Sequence, residues 1–193
     1  MLDSFLKKIN EHFPVSPDFE KDFLKKARLL KFKKDDVLVR YGTVHKKTYF
    51  IVTGSFKSCM LTPNGDLQTV WFYFDELFYI IPVLDSFILN VPTKYEILAM
   101  EESVVIEMDD VNFESWSSKY PEFSKFTMMD MIKDFMVVDD IRSHLICYSK
   151  KDFLSYLSKA YPIIINSTPC NTVADFMGIT PEWYSKIKKE IKL

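Results

Sequence analysis

The sequence predicts an α+β protein in which helices flank a β-rich region, and three observations support this prediction. Apolar residues recur at helical spacing before residue 30 and again after residue 110. Between these segments, runs of β-branched and aromatic residues are separated by glycine and Asn-Gly turns. Near the end, two Thr-Pro pairs mark the starts of two short helices.

Composition indicates a folded chain with an uneven distribution of charge. With 48% apolar and 16% aromatic residues, the 193-residue chain can bury a sizeable core and is not disordered. Its net charge of −2 excludes a protein that coats nucleic acid through a generally basic surface. Residues 141–193, however, carry eight basic and four acidic side chains, a net charge of +4. The last quarter is therefore the part that suits a polyanionic partner.

The sequence shows no recognisable targeting signal, metal site or catalytic set. The N-terminus has charges within its apolar positions, and the longest apolar run, residues 77–84, is too short to span a membrane. We therefore expect a cytoplasmic protein. Three widely spaced cysteines indicate reduced thiols, and the histidines lie in separate segments. We expect no metal, no cofactor and no enzymatic activity, and we interpret the pair Asp139 and Asp140 as a hinge.

Apolar spacing predicts two short helices over residues 2–30, and strands from Lys31 onward. Asn64-Gly65, between two β-forming runs, is a strong hairpin signal. Residues 95–100 and 104–108 form the last strands of this region. Several short antiparallel strands at this spacing predict a barrel or a jelly-roll-like double sheet.

A long helix is predicted over residues 121–147. Apolar residues recur along it at intervals of three to five, from Phe123 through Met129 and Met136 to Leu145. A long, methionine-rich helix between a β domain and a terminal helical pair is a candidate dimerisation helix. The alternative is that this apolar seam packs on its own β domain. Residues 153–165 predict one further helix.

Residues 168–190 predict a helix-turn-helix. The hydroxyls of Thr168 and Thr180 are expected to cap two helices, each beginning with a proline. Gly178 falls between them, where the chain needs a left-handed residue. A small core is expected from the apolar residues of both helices: Val173, Ala174, Met177, Ile179, Tyr184 and Ile187.

The second of these helices has a polar and mostly basic outer face suited to a major groove. Its candidate DNA-binding residues are Thr180, Glu182, Trp183, Ser185, Lys186, Lys188 and Lys189. We expect Ser185 and Lys186 to contact base edges, and Lys188 and Lys189 to neutralise phosphates. The alternative is an ordinary helical hairpin with a solvated lysine face.

This order of segments resembles the Crp/Fnr family of bacterial transcription regulators over nearly the whole chain. Residues 38–42 (LVRYG), 49–57 (YFIVTGSFK) and 64–74 (NGDLQTVWFYF) are similar to that family's β-roll pattern, and residues 169–187 to its helix-turn-helix. The resemblance implies a cyclic-nucleotide-binding-like β-roll over residues 1–120, a dimerisation helix over 121–147 and a DNA-binding domain over 148–193. It also implies a homodimer that binds double-stranded DNA, with RNA polymerase as a further candidate partner.

The phosphate-binding cassette of that family is degenerate in this sequence. The matching positions carry Glu76 in Asp-Glu-Leu-Phe, and Lys94, Tyr95 and Glu96 in place of the Arg-Ser/Thr element. The glycines are missing, and a lysine is a point charge that cannot replace the bidentate arginine fork. We therefore expect no tight binding of cyclic AMP or cyclic GMP, and leave open an unidentified small-molecule effector.

The sequence ends directly after the second helix, so we expect the family's β-hairpin wing to be missing. The expected function is a transcription regulator of the Crp/Fnr type that does not respond to cyclic AMP. The alternative is a ligand-sensing or protein-interaction module with the same fold that has lost DNA binding; an exposed Trp183 favours this alternative, because tryptophan is enriched at protein interfaces.

Overall fold

Two four-stranded antiparallel sheets form the β region of the computed structural model, which describes residues 5–7, 9–10, 14–109 and 113–192. The strand order is β1-β8-β3-β6 in one sheet and β2-β7-β4-β5 in the other. The strands are β1 Ala27–Phe32, β2 Val37–Val39, β3 Lys47–Thr53, β4 Ser55–Leu61, β5 Leu67–Phe74, β6 Ile80–Pro82, β7 Tyr95–Ala99 and β8 Ser103–Asp109. This confirms the predicted double sheet.

The two sheets enclose an apolar core. Phe50 and Ile106 from one sheet and Phe56 and Ile97 from the other are buried in a single cluster. The predicted hairpin joins β4 and β5: the Thr62 N–H donates to the Asp66 carbonyl at 2.8 Å. Gly65 has a φ of +87° in this turn, which explains why the position needs glycine.

The N-terminal prediction is partly wrong. The first predicted helix includes residues 2–4, 8 and 11–13, which lie outside the described part of the chain. Residues 5–7 and 9–10 are helical. Helix α1 spans Pro17–Lys26, with the Ser16 hydroxyl accepting from the Phe19 N–H at 3.2 Å. Residues 27–30 were expected to continue this helix but belong to β1, where Leu29 pairs with Ile106 of β8. The ladder to β8 provides backbone hydrogen bonds that outweigh the local helical pattern.

Two short helices were not predicted. Helix α2, Leu84–Leu89, lies between β6 and β7, and helix α3, Phe113–Lys119, precedes the long helix. The long helix α4 runs from Pro121 to Cys147 without a break, as the sequence predicts. The pair Asp139 and Asp140 lies within it, so the hinge interpretation is wrong. Asp140 instead accepts hydrogen bonds from the hydroxyls of Tyr156 and Tyr161 on the next segment.

Four helices complete the chain: α5 Lys150–Ala160, α6 Pro162–Asn166, α7 Cys170–Met177 and α8 Pro181–Glu190. A single helix over residues 153–165 was expected, but Pro162 begins a new one because proline lacks the N–H that would continue α5. These helices, the C-terminal half of α4 and one face of β5 share a second apolar core.

No helix in the described residues is long and apolar enough to cross a membrane. All three cysteines are free thiols: Cys59 is buried, whereas Cys147 and Cys170 are exposed. Within the same residues, no group of three or more His, Cys, Asp or Glu side chains is placed to hold a metal ion.

Candidate nucleic-acid interface and an adjoining cavity

The turn between α7 and α8 has the predicted geometry. Gly178 has a φ of +66°, and the Ile179 N–H donates to the Ala174 carbonyl at 3.0 Å, which ends α7. Thr180 has extended backbone, and its hydroxyl accepts from the Trp183 N–H at 3.3 Å. The predicted cap at Thr180 is therefore confirmed.

The predicted cap at Thr168 is wrong. Helix α7 begins one residue later than expected, with Pro169 at the cap position and no side-chain hydrogen bond to the first turn. The Thr168 hydroxyl is buried and has no hydrogen-bond partner among the described residues.

The two helices pack on each other as predicted. The buried residues Val173, Ala174 and Met177 of α7 lie in one cluster with Tyr184 and Ile187 of α8. Ile179 is half-buried between them. Because the apolar side chains of α8 point into this cluster, its remaining side chains must face outward.

The outer face of α8 carries the candidate DNA-binding residues. Thr180, Glu182, Trp183, Ser185, Lys186 and Lys189 are exposed, and Lys188 is half-buried. Trp183 is 50% exposed. No carboxylate of the described residues pairs with Lys186, Lys188 or Lys189, whereas Glu190 pairs with Lys151 at 3.0 Å. The face therefore presents unneutralised ammonium groups around one large aromatic side chain.

Two groups at the start of α8 modify this basic face. The backbone N–H of Glu182 itself, and then the Thr180 hydroxyl, hold the pKa of Glu182 below its ordinary value. A carboxylate is favourable there because it lies in the first turn of the helix. The Ser185 hydroxyl donates to the Pro181 carbonyl at 2.8 Å, so its oxygen remains free to accept a hydrogen bond.

Helix α7 packs on the β region through a hydrogen bond and aromatic contacts that were not predicted from the sequence. The Asp175 carboxylate accepts from the Thr69 N–H of β5 at 2.7 Å. Phe176 packs edge-on against Phe72 and Trp71, with ring centroids 5.0 and 6.4 Å apart. The uninterrupted apolar run 70–74 was the available signal, because such a run is typical of a strand covered on both faces.

A cavity of about 470 Å³ opens between β4, β5, β7, the α2 segment and α4. Its aromatic lining includes Trp71, Tyr73, Phe78 and Tyr95, and its charged lining comprises Asp85, Lys94 and Asp134. Of the four predicted cassette residues, the structure brings only Lys94 and Tyr95 to this cavity. Glu76 is exposed and Glu96 half-buried, and neither lines the cavity.

Asp85 occupies the hydrogen-bond donors on one wall of the cavity. Its carboxylate accepts from the Ser86 N–H at 2.8 Å, from the Thr93 hydroxyl at 3.3 Å and from the Lys94 N–H at 3.3 Å. Groups of this kind would otherwise be free to bind an anion. Sequence reasoning missed Asp85, which belongs to the unpredicted α2.

Asp134 provides the other carboxylate of the cavity. Burial, and then the neighbouring Asp130 carboxylate, raise the pKa of Asp134 to about 7. Neither a hydrogen bond nor an ion pair reaches it from the residues that the structure describes. The phenol of Tyr73, which also lines the cavity, stays protonated near neutral pH because burial raises its pKa above the ordinary value.

Phe78 is the last residue of the Asp-Glu-Leu-Phe segment that the sequence analysis matched to the cassette. It has a φ of +58°, the left-handed conformation that glycine adopts readily, and its ring is buried against Trp71 at a centroid distance of 5.0 Å. The backbone geometry of a glycine turn is thus present, while the space beside it is filled by an aromatic ring.

Comparison with solved structures finds bacterial regulators with this fold. The global regulator CLP of Xanthomonas campestris, described as responsive to c-di-GMP, matches with a TM-score of 0.69 and 13% identity over 92% of both chains. A CRP/FNR-family transcriptional regulator of Thermus thermophilus matches with a TM-score of 0.64 and 13% identity over 86% of both chains.

A cyclic nucleotide-binding domain from Methylobacillus flagellatus matches with a TM-score of 0.56 and 14% identity, over 70% of this chain and 76% of that one. No protein-family model and no curated protein matches the sequence. At these identities the likeness establishes the fold. It confirms the predicted α+β architecture with a cyclic-nucleotide-binding-like β region.

Proposed function

We propose that this chain is a DNA-binding transcription regulator of the Crp/Fnr type that acts in the cytoplasm as a homodimer. The observation that carries the proposal is the outer face of α8, where three lysines without carboxylate partners among the described residues surround an exposed tryptophan on a helix held by a glycine turn. The solved regulators of the same fold support it. On this proposal, α7 and α8 form a helix-turn-helix, and residues 1–120, 121–147 and 148–193 are the sensing, dimerisation and DNA-binding parts.

In this arrangement each residue of the α8 face has a distinct role. Lys186 and the Ser185 hydroxyl lie one turn beyond the helix start and contact base edges in the major groove. Trp183 packs at the edge of the groove. Lys188 and Lys189 neutralise phosphates, and the capped start of α8 at Thr180 adds the positive end of the helix dipole. Glu182 disfavours a phosphate at its own position and so helps to fix the register.

The exposed apolar face of α4 supports the homodimer. Phe123 and Phe126 of the predicted seam are buried against their own chain, but the side chains further along are exposed: Met128, Met129, Met131, Ile132, Phe135 and Met136. A contiguous apolar face of this kind marks an interaction surface. Dimeric helix-turn-helix proteins bind half-sites about 34 Å apart on DNA, and this is the spacing that the two α8 helices of the proposed dimer must match. RNA polymerase is a further proposed partner once the dimer is on DNA.

We further propose that cyclic AMP is not the effector. A phosphodiester entering the cavity would meet the Asp85 carboxylate, which already occupies the Ser86, Thr93 and Lys94 donors. Isothermal calorimetry with cyclic AMP is expected to show no saturable binding at millimolar concentration. Micromolar binding would contradict this prediction, and Asp85→Ala, which frees the donors, is the variant in which weak binding could appear.

The alternative function, a protein-interaction module that has lost DNA binding, is favoured by one observation. Trp183 exposes half of its surface on a helix that could equally dock on a protein, and tryptophan is a frequent anchor of protein interfaces. The two functions make different predictions about salt, because phosphate contacts release counterions whereas an aromatic anchor does not.

Fluorescence anisotropy tests the proposal directly. The purified protein is titrated onto labelled duplex from upstream of its own gene and onto random duplex of equal length, over a salt series. We expect tighter binding to the former and a steep linear fall of log affinity with log salt. Equal affinity for both duplexes would contradict a sequence-specific regulator. Absence of binding at low salt, with and without candidate effectors, would favour the interaction module.

A further inference from the structure

The cavity beside α4 is lined by both aromatic and charged side chains. Trp71, Tyr73, Phe78 and Tyr95 supply aromatic surface, and two carboxylates face the same space. A volume of about 470 Å³ lies within the range of cavities that take small molecules.

The two carboxylates, Asp85 and Asp134, differ in whether they already accept hydrogen bonds from the protein. Asp85 is satisfied by its own segment, through the Ser86, Thr93 and Lys94 donors. Asp134 is half-buried and has no donor from the described residues. Partial removal of a carboxylate from water without a partner is costly, and a donor that carries positive charge relieves that cost best.

The surrounding groups favour a cation over an anion. Aromatic faces attract an ammonium group when it lies within about 6 Å of the ring centroid. Among the described residues of the lining, Lys94 is the one cation; it is exposed and lies 5.4 Å from the ring centroid of Tyr95, at the solvent side of the cavity. An anionic ligand would therefore enter past one exposed lysine to meet Asp85 and Asp134.

We infer that this cavity binds a ligand that carries a protonated amine on an apolar or aromatic body, with the Asp134 carboxylate as the counter-ion of the amine. The inference deepens the proposed function, since it takes the β region to be the sensing part. Trp71 lines the cavity and also packs against Phe176 of α7. A ligand that moves the Trp71 indole would therefore alter the contact that holds α7 and α8 on the β region.

Isothermal calorimetry on the full chain without DNA tests the ligand class. Three probes of matched shape are used: 4-phenylbutylamine, neutral 4-phenylbutanol and anionic 4-phenylbutyrate. We expect the amine to bind about 10- to 100-fold more tightly than the alcohol, as a charge-assisted hydrogen bond would provide. Equal affinity for amine and alcohol, tighter binding of the butyrate, or no binding of the amine at millimolar concentration would each overturn the inference.

Two variants locate the effect. Asp134→Asn keeps the shape of the side chain and is expected to remove the preference for the amine. Asp139→Asn, on the same helix but outside the cavity lining, should retain it. Circular dichroism establishes that both variants fold, and loss of the preference in Asp139→Asn alone would place the amine elsewhere and overturn the assignment.

The pH dependence provides a second readout. The ionisable groups around Asp134 are Asp130 on its own helix, Asp85, Lys94, Tyr73 and Tyr95 across the cavity, and Tyr79, whose hydroxyl donates to Asp130. Only an ionised Asp134 pairs with the amine, and its pKa of about 7 means that the preference for the amine should weaken as pH falls from about 8 to about 5. A preference independent of pH over this range would contradict the role of Asp134.

The proposed function and this inference fail separately. A chain that binds DNA in the anisotropy assay but shows no preference for the amine refutes only the ligand class. A chain that prefers the amine but never binds DNA refutes the regulator and leaves a ligand-binding module.

Discussion

Asp134 makes the folded chain less stable than it would be with a neutral side chain at this position. Its pKa rises from 3.8 to about 7 on folding, so the unfolded chain loses its proton first as pH increases. The free energy of unfolding therefore falls between about pH 4 and pH 7 and stays reduced above that range. Binding sites often contain an ionisable residue of this kind, whose shifted pKa lowers the stability of the fold.

Asp134→Asn should consequently stabilise the protein in a pH-dependent manner. At pH 8 we expect a gain of about 1 kcal/mol, well below the full linkage value because the side chain is partly exposed to solvent. At pH 4 the gain should vanish. Urea denaturation at pH 4, 6 and 8 measures this difference, with Asp139→Asn as control; a gain of equal size at all three pH values would contradict it.

The lysines of α8 should differ in what their removal does to DNA binding. Lys186→Ala is expected to reduce affinity for the specific duplex by roughly 1–3 kcal/mol and to leave random duplex nearly unaffected, because the proposed role of this side chain is to read a base. Lys189→Ala should weaken binding to both duplexes alike and reduce the salt slope by about one unit, because its proposed role is to neutralise a phosphate. Anisotropy on both duplexes separates the two roles, and equal losses for both variants would refute them.

At the scale of single elements, the turn between β3 and β4 depends on glycine for two reasons. Gly54 has a φ of +93°, and a Cβ atom added there would lie 2.3 Å from the Ser103 Oγ and 2.8 Å from the Ser103 Cα. Gly42 also has a positive φ, +76°, but a Cβ atom there would meet nothing within 4 Å. An alanine at Gly42 would therefore meet backbone strain alone, whereas an alanine at Gly54 would meet both backbone strain and a steric clash.

Gly42→Ala should cost about 1 kcal/mol of unfolding free energy, the penalty of a left-handed alanine. Gly54→Ala should cost more than about 3 kcal/mol, because the β8 backbone must also move. Thermal denaturation compares the variants. Equal destabilisation would indicate that the turn relaxes without disturbing β8.

Local signals predicted several helix boundaries, although they failed at Thr168 and Pro162, whereas features that depend on distant partners were not predictable. Proline at the start of α4 and Thr180-Pro181 with Gly178 mark their helices wherever the chain folds, so these boundaries followed from the sequence. Residues 27–30 read as helix because their strand identity comes from pairing with β8, which lies far along the chain. Asp85 and Asp175 were missed for the same reason, since their hydrogen bonds depend on which segments meet.

At the scale of the whole molecule, the exposed face of α4 determines the expected oligomeric state. Phe135 is 69% exposed, the most exposed of the apolar side chains named on this face. Phe135→Lys should raise the dimer dissociation constant by roughly tenfold or more, because it places a charge within the proposed apolar interface. Val44→Lys replaces an apolar residue that is 50% exposed in the segment between β2 and β3 and provides the matched control.

Sedimentation velocity over a range of concentrations measures this change, and the affinity for DNA should fall with the dimer. A monomeric native chain, or a Phe135→Lys variant that remains dimeric, would contradict the role of α4. The sequence did indicate this helix as an interface but not which of its residues are free, because that depends on where α1 and the β region cover it.

The hydrogen bond between Asp175 and Thr69 also has a consequence for solubility. β5 is the last strand of its sheet, and its outward N–H groups are a template on which another chain's strand could pair. Helix α7 covers that rim, and the Asp175 carboxylate occupies one of its donors. Separation of α7 and α8 from the β region would therefore expose an edge strand on which another chain could pair, so movement of the proposed DNA-binding part carries a risk of aggregation.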